Sequence, residues 1–510
     1  MIVILNFGSQ FAHLIARRIR NLGVRAEILP CNAPIEEIRA LHPLGIILSG
    51  GPRSVLEQGH PRPPKEIFEL GIPVLGICYG AQVMAKMFGG IVRSGDAREY
   101  GKETVSFAVR APLFKGFAKK EPVWFSHGDH VYMLPQGFHA LASTRACAHA
   151  AFAHEKNPWF GVQFHPEVAH TKRGIEMLSN FIFSVCGAEK NWSIPILKDE
   201  MIRSLRDTIG SAHVVIALSG GVDSLVVASL LHRAIGKQLH GVFVDHGLLR
   251  KDEVMEVKKA ISTQGLYDIR VIDAKNNFLE RLKGIEDPEK KRKIIGHTFI
   301  HVFERAISYD FKQFPVRFLA QGTIYPDRIE SGVGMPTAEK IKSHHNLTLP
   351  ERFGFRIIEP LADLYKDEVR KLGEELRLPK KVLWRHPFPG PGLAIRIIGE
   401  VTEERLLMVR QADAIYIEEL KKAGEYKNIW QAFAVLLPLK TVGVMGDMRT
   451  YEHIIALRAV HSVDGMTADW YRIPPDLLEQ ISNRIVREVK GINRVLYDIT
   501  QKPPATIEYE

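Results

Sequence analysis

Cysteine is scarce in this chain. Only four occur in 510 residues, at positions 31, 78, 147 and 186, and no two are spaced as Cys-x-x-Cys. That excludes a disulfide scaffold and the common zinc and dithiol motifs, and it makes a reducing cytoplasm the expected compartment. Long apolar runs are also missing: no stretch reaches the roughly 20 residues that span a bilayer, so no membrane partner is expected. The apolar start at residues 1–5 has no basic leader and no cleavage site, and it reads as a first buried strand. No Lys/Arg block with interleaved aromatics appears, so the formal net charge of +10 comes without a nucleic-acid motif. Anionic small substrates such as nucleotides account for a basic balance equally well. The densest charged run, residues 286–293, mixes both signs and reads as a solvated helix start, with Arg292 as the candidate exception. No internal repeat or low-complexity tract occurs.

What is present alternates short apolar runs with helical patterns. In the first part, strands are expected at Ile2–Asn6, 44–48, 73–77 and 159–164, with a helix at 10–22. Continuous Val/Ile/Leu runs of this kind belong to strands buried on both faces, as in parallel sheets flanked by helices. After a boundary near 186–193, a helix at Ile194–Ile209 leads into strand 214–218, helix 225–235 and strand 239–244. This is the βαβ start of a second α/β domain. The Pro/Gly-dense run 385–392 disfavours regular structure and marks another boundary or a rigid loop. Mixed α and β follow, with strands expected at 441–445 and 454–460. The expected fold class is therefore α/β: two doubly wound parallel-sheet domains, residues 1–188 and 189–385, and an α+β domain at 386–510.

Gly76-Ile77-Cys78-Tyr79-Gly80 joins an apolar strand to a helix expected at 81–88. A Gly-x-Cys-x-Gly turn of this kind exposes its middle residue, as a nucleophile elbow does. The thiol then sits at a helix N-terminus, where the dipole favours thiolate. The Tyr79 backbone N–H faces a developing oxyanion, and Gly51 in Ser49-Gly50-Gly51-Pro52 offers a second donor. His165 is the candidate base, and Glu167 is placed to orient its imidazole. The other three cysteines lack such a turn and read as structural. Phe7-Gly8-Ser9-Gln10, Ser49-Gly50-Gly51-Pro52, the Cys78 turn and Gln163-Phe164-His165-Pro166-Glu167 together resemble the class I glutamine amidotransferases. The resemblance implies glutamine as substrate, a glutamyl thioester and released ammonia. It also implies that Gln82, His127 and Asp129 help to hold the glutamine.

Ser219-Gly220-Gly221-Val222-Asp223-Ser224 lies between an apolar strand and a helix. The glycines let backbone N–H groups approach phosphate, the helix start adds its dipole, and Ser219 and Ser224 add hydroxyl donors. Asp223 is the candidate contact for Mg²⁺. No Gly-x-x-x-x-Gly-Lys-[Ser/Thr] pattern is present, so this is not a Walker A loop. Asp245, ending the next strand, sits where such folds recognise a nucleoside. The loop resembles the PP-loop ATP pyrophosphatases, which implies ATP as substrate and adenylation of an acceptor oxygen.

These two halves leave the acceptor open, with deamido-NAD among the choices. Residues 321–327, 341–346 and 386–392, and Lys502-Pro503-Pro504-Ala505-Thr506-Ile507-Glu508, resemble the GMP synthetases, and that likeness covers essentially the whole chain. It implies conversion of xanthosine monophosphate (XMP) to GMP by a homodimer joined through the C-terminal domain. Asp327 and Lys342 fall in the segment the resemblance places beside the adenylation site. Arg292, Gln431, Arg494, Lys502, Ile507 and Glu508 become the candidate XMP contacts, with arginine suited to phosphate and Glu508 to the purine edge. Tyr509 stands where relatives commonly carry Trp.

Overall fold

Successive residues of β1 (Ile2–Asn6) go to opposite cores. Ile2 and Ile4 join one buried cluster, and Val3 and Leu5 join another. The same split recurs in β3 (Gly45–Leu48), where Ile47 goes one way and Ile46 and Leu48 the other. A strand apolar on both sides needs a cover on both sides. α1 (Phe11–Asn21) covers one face with Ala12, Ile15, Ala16 and Ile19, which fall on one stripe of a 3.6-residue helix. α2 (Ile35–Ala40) and α3 (Tyr79–Met87) cover the other with Ile38, Ala81, Val83 and Met84.

The computed structural model describes residues 1–9, 11–107, 111–325, 327, 354–445, 448–462 and 467–510; of residues 95–100, 127 and 445 it describes the backbone alone. Lys342 therefore lies outside the described residues, as does the side chain of His127. The chain divides into two compact units, Met1–Leu197 and Lys198–Glu510. No helix among the described residues is long and apolar enough to cross a membrane.

In the first unit, β2 (Ala26–Pro30), β1, β3, β4 (Val74–Ile77) and β9 (Trp159–Val162) run parallel in that order. The sheet continues antiparallel through β8 (Ala151–His154), β7 (Phe138–Ser143), β5 (Ile91–Phe107) and β6 (Lys120–Met133). Strand β9 stops at Val162, two residues short of the expected end. Beyond it the chain leaves the ladder and is pinned elsewhere: Gln163 N–H bonds Ala150 O at 2.9 Å, and His165 N–H bonds Trp124 O at 2.9 Å.

In the second unit, β10 (His213–Leu218), β11 (Leu239–Asp245), β12 (Ile269–Asp273), β13 (Val316–Ala320) and β14 (Arg356–Ile358) form a parallel sheet in the order β12-β11-β10-β13-β14. The direction of strand addition reverses at β10, whose C-terminal end carries the Gly-Gly loop. α6 (Val222–Ile235) starts three residues before the expected 225, so Val222, Asp223 and Ser224 are its first turn. A separate mixed sheet contains β15 (Gln431–Met445), β16 (Met448–His461), β17 (Asp469–Trp470) and β18 (Ile492–Asp498), with α11 (Glu403–Lys422) and α12 (Pro475–Glu488). The strand expected at 441–445 begins ten residues earlier. Pro438 hides the continuity: it removes a ladder donor, and the pairing shifts register between Leu437 and Lys440. One buried cluster runs from Val215 and Val242 through Phe303 and Val409 to Ile455 and Ile481, so residues 198–510 share a core.

The mixed-charge run begins α9 (Pro288–Asp310), with Asp287 accepting Lys290 N–H at 2.7 Å as the N-cap. The expectation of a solvated face is corrected at one position. Lys291 is fully buried, and its ammonium donates to Ile397 O at 2.7 Å and Glu510 Oε2 at 2.6 Å.

Two buried histidines give this unit a pH dependence. Burial pushes His246 down to about 4. Burial also pushes His386 down to about 4, helped by the nearby charges of Arg250, Lys421 and Arg370. Unfolded histidine titrates near 6.5, so between those values the unfolded chain binds more protons and stability rises with pH. The contribution is complete above pH 6.5 and is lost as pH falls toward 4, about 3 kcal/mol for each histidine. The expected result is a urea midpoint that drops between pH 6.5 and 5, before most carboxylates titrate, and a smaller drop in His246→Gln. A flat midpoint over that interval would contradict the burial argument.

Candidate active sites

Cys78 lies between β4 and α3 with φ at 53°, a left-handed value that costs a non-glycine residue energy. The flanking glycines serve by close approach. A Cβ on Gly80 would lie 2.2 Å from Leu48 O, and one on Gly76 would lie 2.7 Å from the Ala81 backbone. Their absence lets α3 start directly against the strands, and backbone bonds fix the turn: Cys78 N–H to Val162 O at 2.7 Å and Gly80 N–H to Ser49 O at 3.1 Å. The sulfur is thereby held at a helix N-terminus.

His165 meets it from the segment after β9. Its Nδ1 is 2.7 Å from Glu167 Oε1, and both side chains are almost entirely buried. Burial alone would lower the imidazole pKa, but Glu167 and Cys78 together outweigh it and hold His165 well above its ordinary value. A Cβ on Gly50 would fall 3.2 Å from His165 Cε1 and 3.9 Å from Cys78 Cβ, so Gly50 keeps the space beside both groups clear. Such a trio can hold a thiolate beside an imidazolium. Tyr79 turns its ring away onto Phe7 and its hydroxyl to Pro61 O at 2.6 Å, which leaves its backbone N–H, at the first helical position, for the site. Gly51 packs against Phe7 and Tyr79. Gln82 Nε2 donates to Asp129 O at 2.8 Å, and the Asp129 carboxylate accepts the Ser54 hydroxyl, so these two are brought together. Thr171 escaped the sequence reading. Its buried hydroxyl donates to His165 O at 2.6 Å and accepts Trp124 N–H at 3.0 Å, locking the histidine backbone. No spacing signal marks it.

In the second unit the Gly-Gly loop closes on itself. Ser219 Oγ lies 3.2 Å from Ser224 Oγ and accepts Gly221 N–H at 3.2 Å, while the Ser224 hydroxyl donates to Gly221 O at 3.1 Å. Gly220 has φ +78°, the value that requires glycine there. The Asp223 carboxylate is gripped by Lys366, at the start of α10 (Lys366–Glu375), with Nζ 2.7 and 2.6 Å from its two oxygens. Lys366 is thus a cation at the Gly-Gly loop that the sequence reading missed. It lies 143 residues from Asp223, beyond the reach of local pattern. Asp245 ends β11 nearly buried, accepting Gly247 N–H at 3.1 Å and pairing with Lys275 at 3.1 Å. Asp327 Oδ2 accepts Ile324 N–H at 3.0 Å after β13. Among the described residues no group of three His, Cys, Asp or Glu could hold a metal. A lone carboxylate beside a phosphate loop suits a cation that arrives on phosphates, since Mg²⁺ commonly binds through one or two carboxylates plus substrate oxygens.

The candidate nucleotide contacts separate into two groups. Gln431, Ile507 and Glu508 come together: Gln431 Nε2 donates to Glu508 Oε1 at 2.6 Å, and Arg396 reaches both Glu508 oxygens at 3.2 and 3.0 Å. Arg458, also buried, donates to Ile507 O at 2.8 Å and Thr506 O at 2.9 Å. Arg292 pairs with Glu289 on α9, Arg494 is exposed on β18, and Lys502 exchanges backbone bonds with Ala468. Arg396, Arg458 and Lys291, which grip the tail, carry no motif of their own.

Three families match in chain order. The class-I glutamine amidotransferases match residues 3–185, the NAD synthases residues 197–286, and the GMP synthase C-terminal domain residues 418–509. Over its full length the chain is 54% identical to a GMP synthase [glutamine-hydrolyzing] of Aquifex aeolicus and 54% identical to one of Carboxydothermus hydrogenoformans, spanning 99% of each. A solved glutamine amidotransferase from Thermotoga maritima is 23% identical over 36% of this chain and 84% of its own, with a TM-score of 0.28.

The elbow makes a stability prediction. Gly80→Ala drives a Cβ into the Leu48 carbonyl, so the expected loss is about 3 kcal/mol or more. At Gly128 a Cβ would meet nothing within 4 Å, so Gly128→Ala changes stability by less than about 1 kcal/mol. Denaturant unfolding of the two variants checks this, and equal midpoints would refute the close-packing account.

Proposed function

The chain belongs to the glutamine-hydrolysing GMP synthases, and from that membership we propose how its residues divide the work. The enzyme makes GMP from XMP, consuming ATP and using glutamine as nitrogen donor. The observation that carries the assignment of roles is the buried line Cys78–His165–Glu167 at a left-handed elbow.

Cys78 thiolate attacks the carboxamide carbon of glutamine. The oxyanion turns toward the N–H groups of Tyr79 and Gly51. The His165 imidazolium, steadied by Glu167, gives its proton to the leaving ammonia. Water activated by His165 then hydrolyses the glutamyl thioester and frees the thiolate. Gln82, His127 and Asp129 hold the glutamine. In the other half, the XMP C2 oxygen attacks the α-phosphorus of ATP and pyrophosphate leaves. Ammonia adds at C2, and AMP departs to give GMP. The loop from Ser219 to Ser224, with Gly220, Gly221 and Val222 N–H groups at the α6 N-terminus, holds the ATP phosphates. Asp223 would hold Mg²⁺ riding on those phosphates, which when bound neutralises pyrophosphate charge. Asp245 faces the nucleoside, Lys342 and Asp327 serve the adenylation step, and Arg292, Arg494 and Lys502 take the XMP phosphate, with Ile507 and Glu508 at the purine. The NAD synthase match covers only the ATP-handling segment, and the GMP synthase C-terminal match favours XMP over deamido-NAD.

We read residues 1–188, 189–385 and 386–510 as three functional domains, the first two doubly wound, in a cytoplasmic enzyme. The β15–β16 hairpin exposes Val442, Val444 and Tyr451 on one face, an apolar surface that favours a homodimer through the third domain.

Cys78→Ala is expected to abolish GMP formation from glutamine while ammonium-dependent formation stays within about twofold. Parallel assays of AMP, pyrophosphate and GMP check this, and equal loss with both donors would overturn the division of labour. Val444→Asp places a charge on the 76%-exposed position of the hairpin. Sedimentation should then shift from dimer to monomer, whereas an unshifted dimer would remove the hairpin from the interface.

A further inference from the structure

We propose that Thr171, Gly174 and Arg18 are positioning residues that aim the His165–Glu167 pair at Cys78 through its main chain. The inference rests on the reading of His165 as the acid and base of glutamine hydrolysis.

The side chains alone leave the place of this pair open. Glu167 has no exposed surface, and its Oε1 is taken by His165 Nδ1 at 2.7 Å. Among the described residues no donor reaches its Oε2. Buried polar atoms are usually bonded, so this carboxylate is held by fewer side-chain bonds than its burial demands. It is steadied by the same imidazole that it has to steady, and neither group can locate the other relative to the sulfur. The location has to come from the backbone of residues 165–167.

Each carbonyl of that stretch meets one of the three residues. His165 O accepts the Thr171 hydroxyl at 2.6 Å. A Cβ on Gly174 would fall 1.8 Å from Pro166 O, so the missing side chain lets α4 (Gly174–Ser179) start directly on the Pro166 peptide. Glu167 O accepts the Arg18 Nε–H at 2.9 Å. Arg18 lies on α1, which also sets the Phe11 ring 5.1 Å from the His165 ring, centroid to centroid. Phe11 and Arg18 are about two turns apart on one side of that helix, so α1 meets the pair at both of its ends.

Thr171 is the most exacting of the three. One bond between His165 and β6 is direct, from His165 N–H to Trp124 O at 2.9 Å. The other passes through the Thr171 hydroxyl, which accepts Trp124 N–H at 3.0 Å while it donates to His165 O. A hydroxyl can do both at once. Thr171 is 4% exposed, so its oxygen is a dry spacer between two backbones. It sets how far the His165 peptide stands from β6, and with that where the imidazole meets the sulfur. Valine has nearly the same shape and no hydroxyl. It would leave Trp124 N–H and His165 O either unpaired or drawn together, and in both cases the spacing is lost.

The test uses the full-length enzyme and the variants Thr171→Val, Thr171→Ser, Arg18→Met and His165→Asn. Two readouts are taken: kcat and KM for glutamine, and the pH profile of Cys78 alkylation by iodoacetamide, followed on the Cys78 peptide. Thr171→Val and Arg18→Met are expected to lower kcat about tenfold or more, with KM for glutamine within about twofold. In Thr171→Val the alkylation midpoint moves up by about one pH unit, because a displaced imidazolium no longer favours thiolate. Thr171→Ser keeps the hydroxyl and stays within about threefold of the parent in kcat. A normal kcat with an unmoved alkylation profile in both Thr171→Val and Arg18→Met would overturn the positioning role, and so would a Thr171→Ser as impaired as Thr171→Val. If Thr171→Val does not fold, Arg18→Met alone decides, since it removes one bond made by a half-buried side chain. Normal glutamine use in His165→Asn would instead remove the reading of the base on which the proposal stands.

Discussion

The contact between Gly80 and the Leu48 carbonyl sets the geometry of the amide-handling site. Because Gly80 has no side chain, α3 begins against β3, and the strand–helix joint becomes tight enough to force Cys78 to φ 53°. That strain is useful. It turns the sulfur out of the strand and leaves it at the helix N-terminus, beside the Tyr79 N–H. His165 meets the sulfur from the segment after β9, whose end at Val162 releases the chain at the point where it has to turn. The bonds from Trp124 O and Thr171 to the His165 backbone hold the ring against recoil. Burial of Glu167 completes the arrangement. A fully buried carboxylate demands a positive partner, and the only one this line offers is His165.

The C-terminal tail follows the same rule with the signs exchanged. Lys291, Arg396 and Arg458 have essentially no exposed side chain, and each faces the tail: Glu510, Glu508, and the Ile507 and Thr506 carbonyls. Removing one acceptor would strand a charge away from water, which costs far more than a surface pair contributes. The segment 506–510 is thus fixed by charges in the body of the unit, although it has almost no regular structure of its own.

How much of this was legible in the sequence depended on the range of each interaction. β1, β3, β4 and β9 of the first sheet, β10 and β11 of the second, and the elbow at Cys78 show in local pattern, because strand burial and the Gly-x-Cys-x-Gly turn are properties of neighbours in the chain; β2, β12, β13 and β14 were not expected. The start of α6 at Val222 was displaced by three residues because the Gly-Gly pair reads as loop until its second glycine proves to be the N-cap. β15 was cut short by Pro438, whose missing donor is absorbed by a register shift that only the partner strand reveals. Lys366, Arg396, Arg458 and Thr171 were invisible for a different reason. Each acts through a partner distant in sequence, or through a carbonyl that every residue has. Lys291 was misread because a run of mixed charge looks solvated unless one knows that Glu510 and two carbonyls wait inside.

Lys366 sets the charge balance at the Gly-Gly loop. Its ammonium pairs with both Asp223 oxygens, and neither partner is deeply buried. A part-exposed pair of this kind is worth little net stability, so exchanging it costs little. On the role proposed for the loop, phosphate oxygens would compete for the same ammonium and free the carboxylate. The pair therefore offers one positive and one negative partner that an incoming triphosphate would part. At the Cys78 site the imidazole is instead held well above its ordinary pKa by a carboxylate that is itself fully buried. The two halves thus hold charge differently: the first fixes it in the core, and the second keeps it in a part-exposed pair that is cheap to exchange.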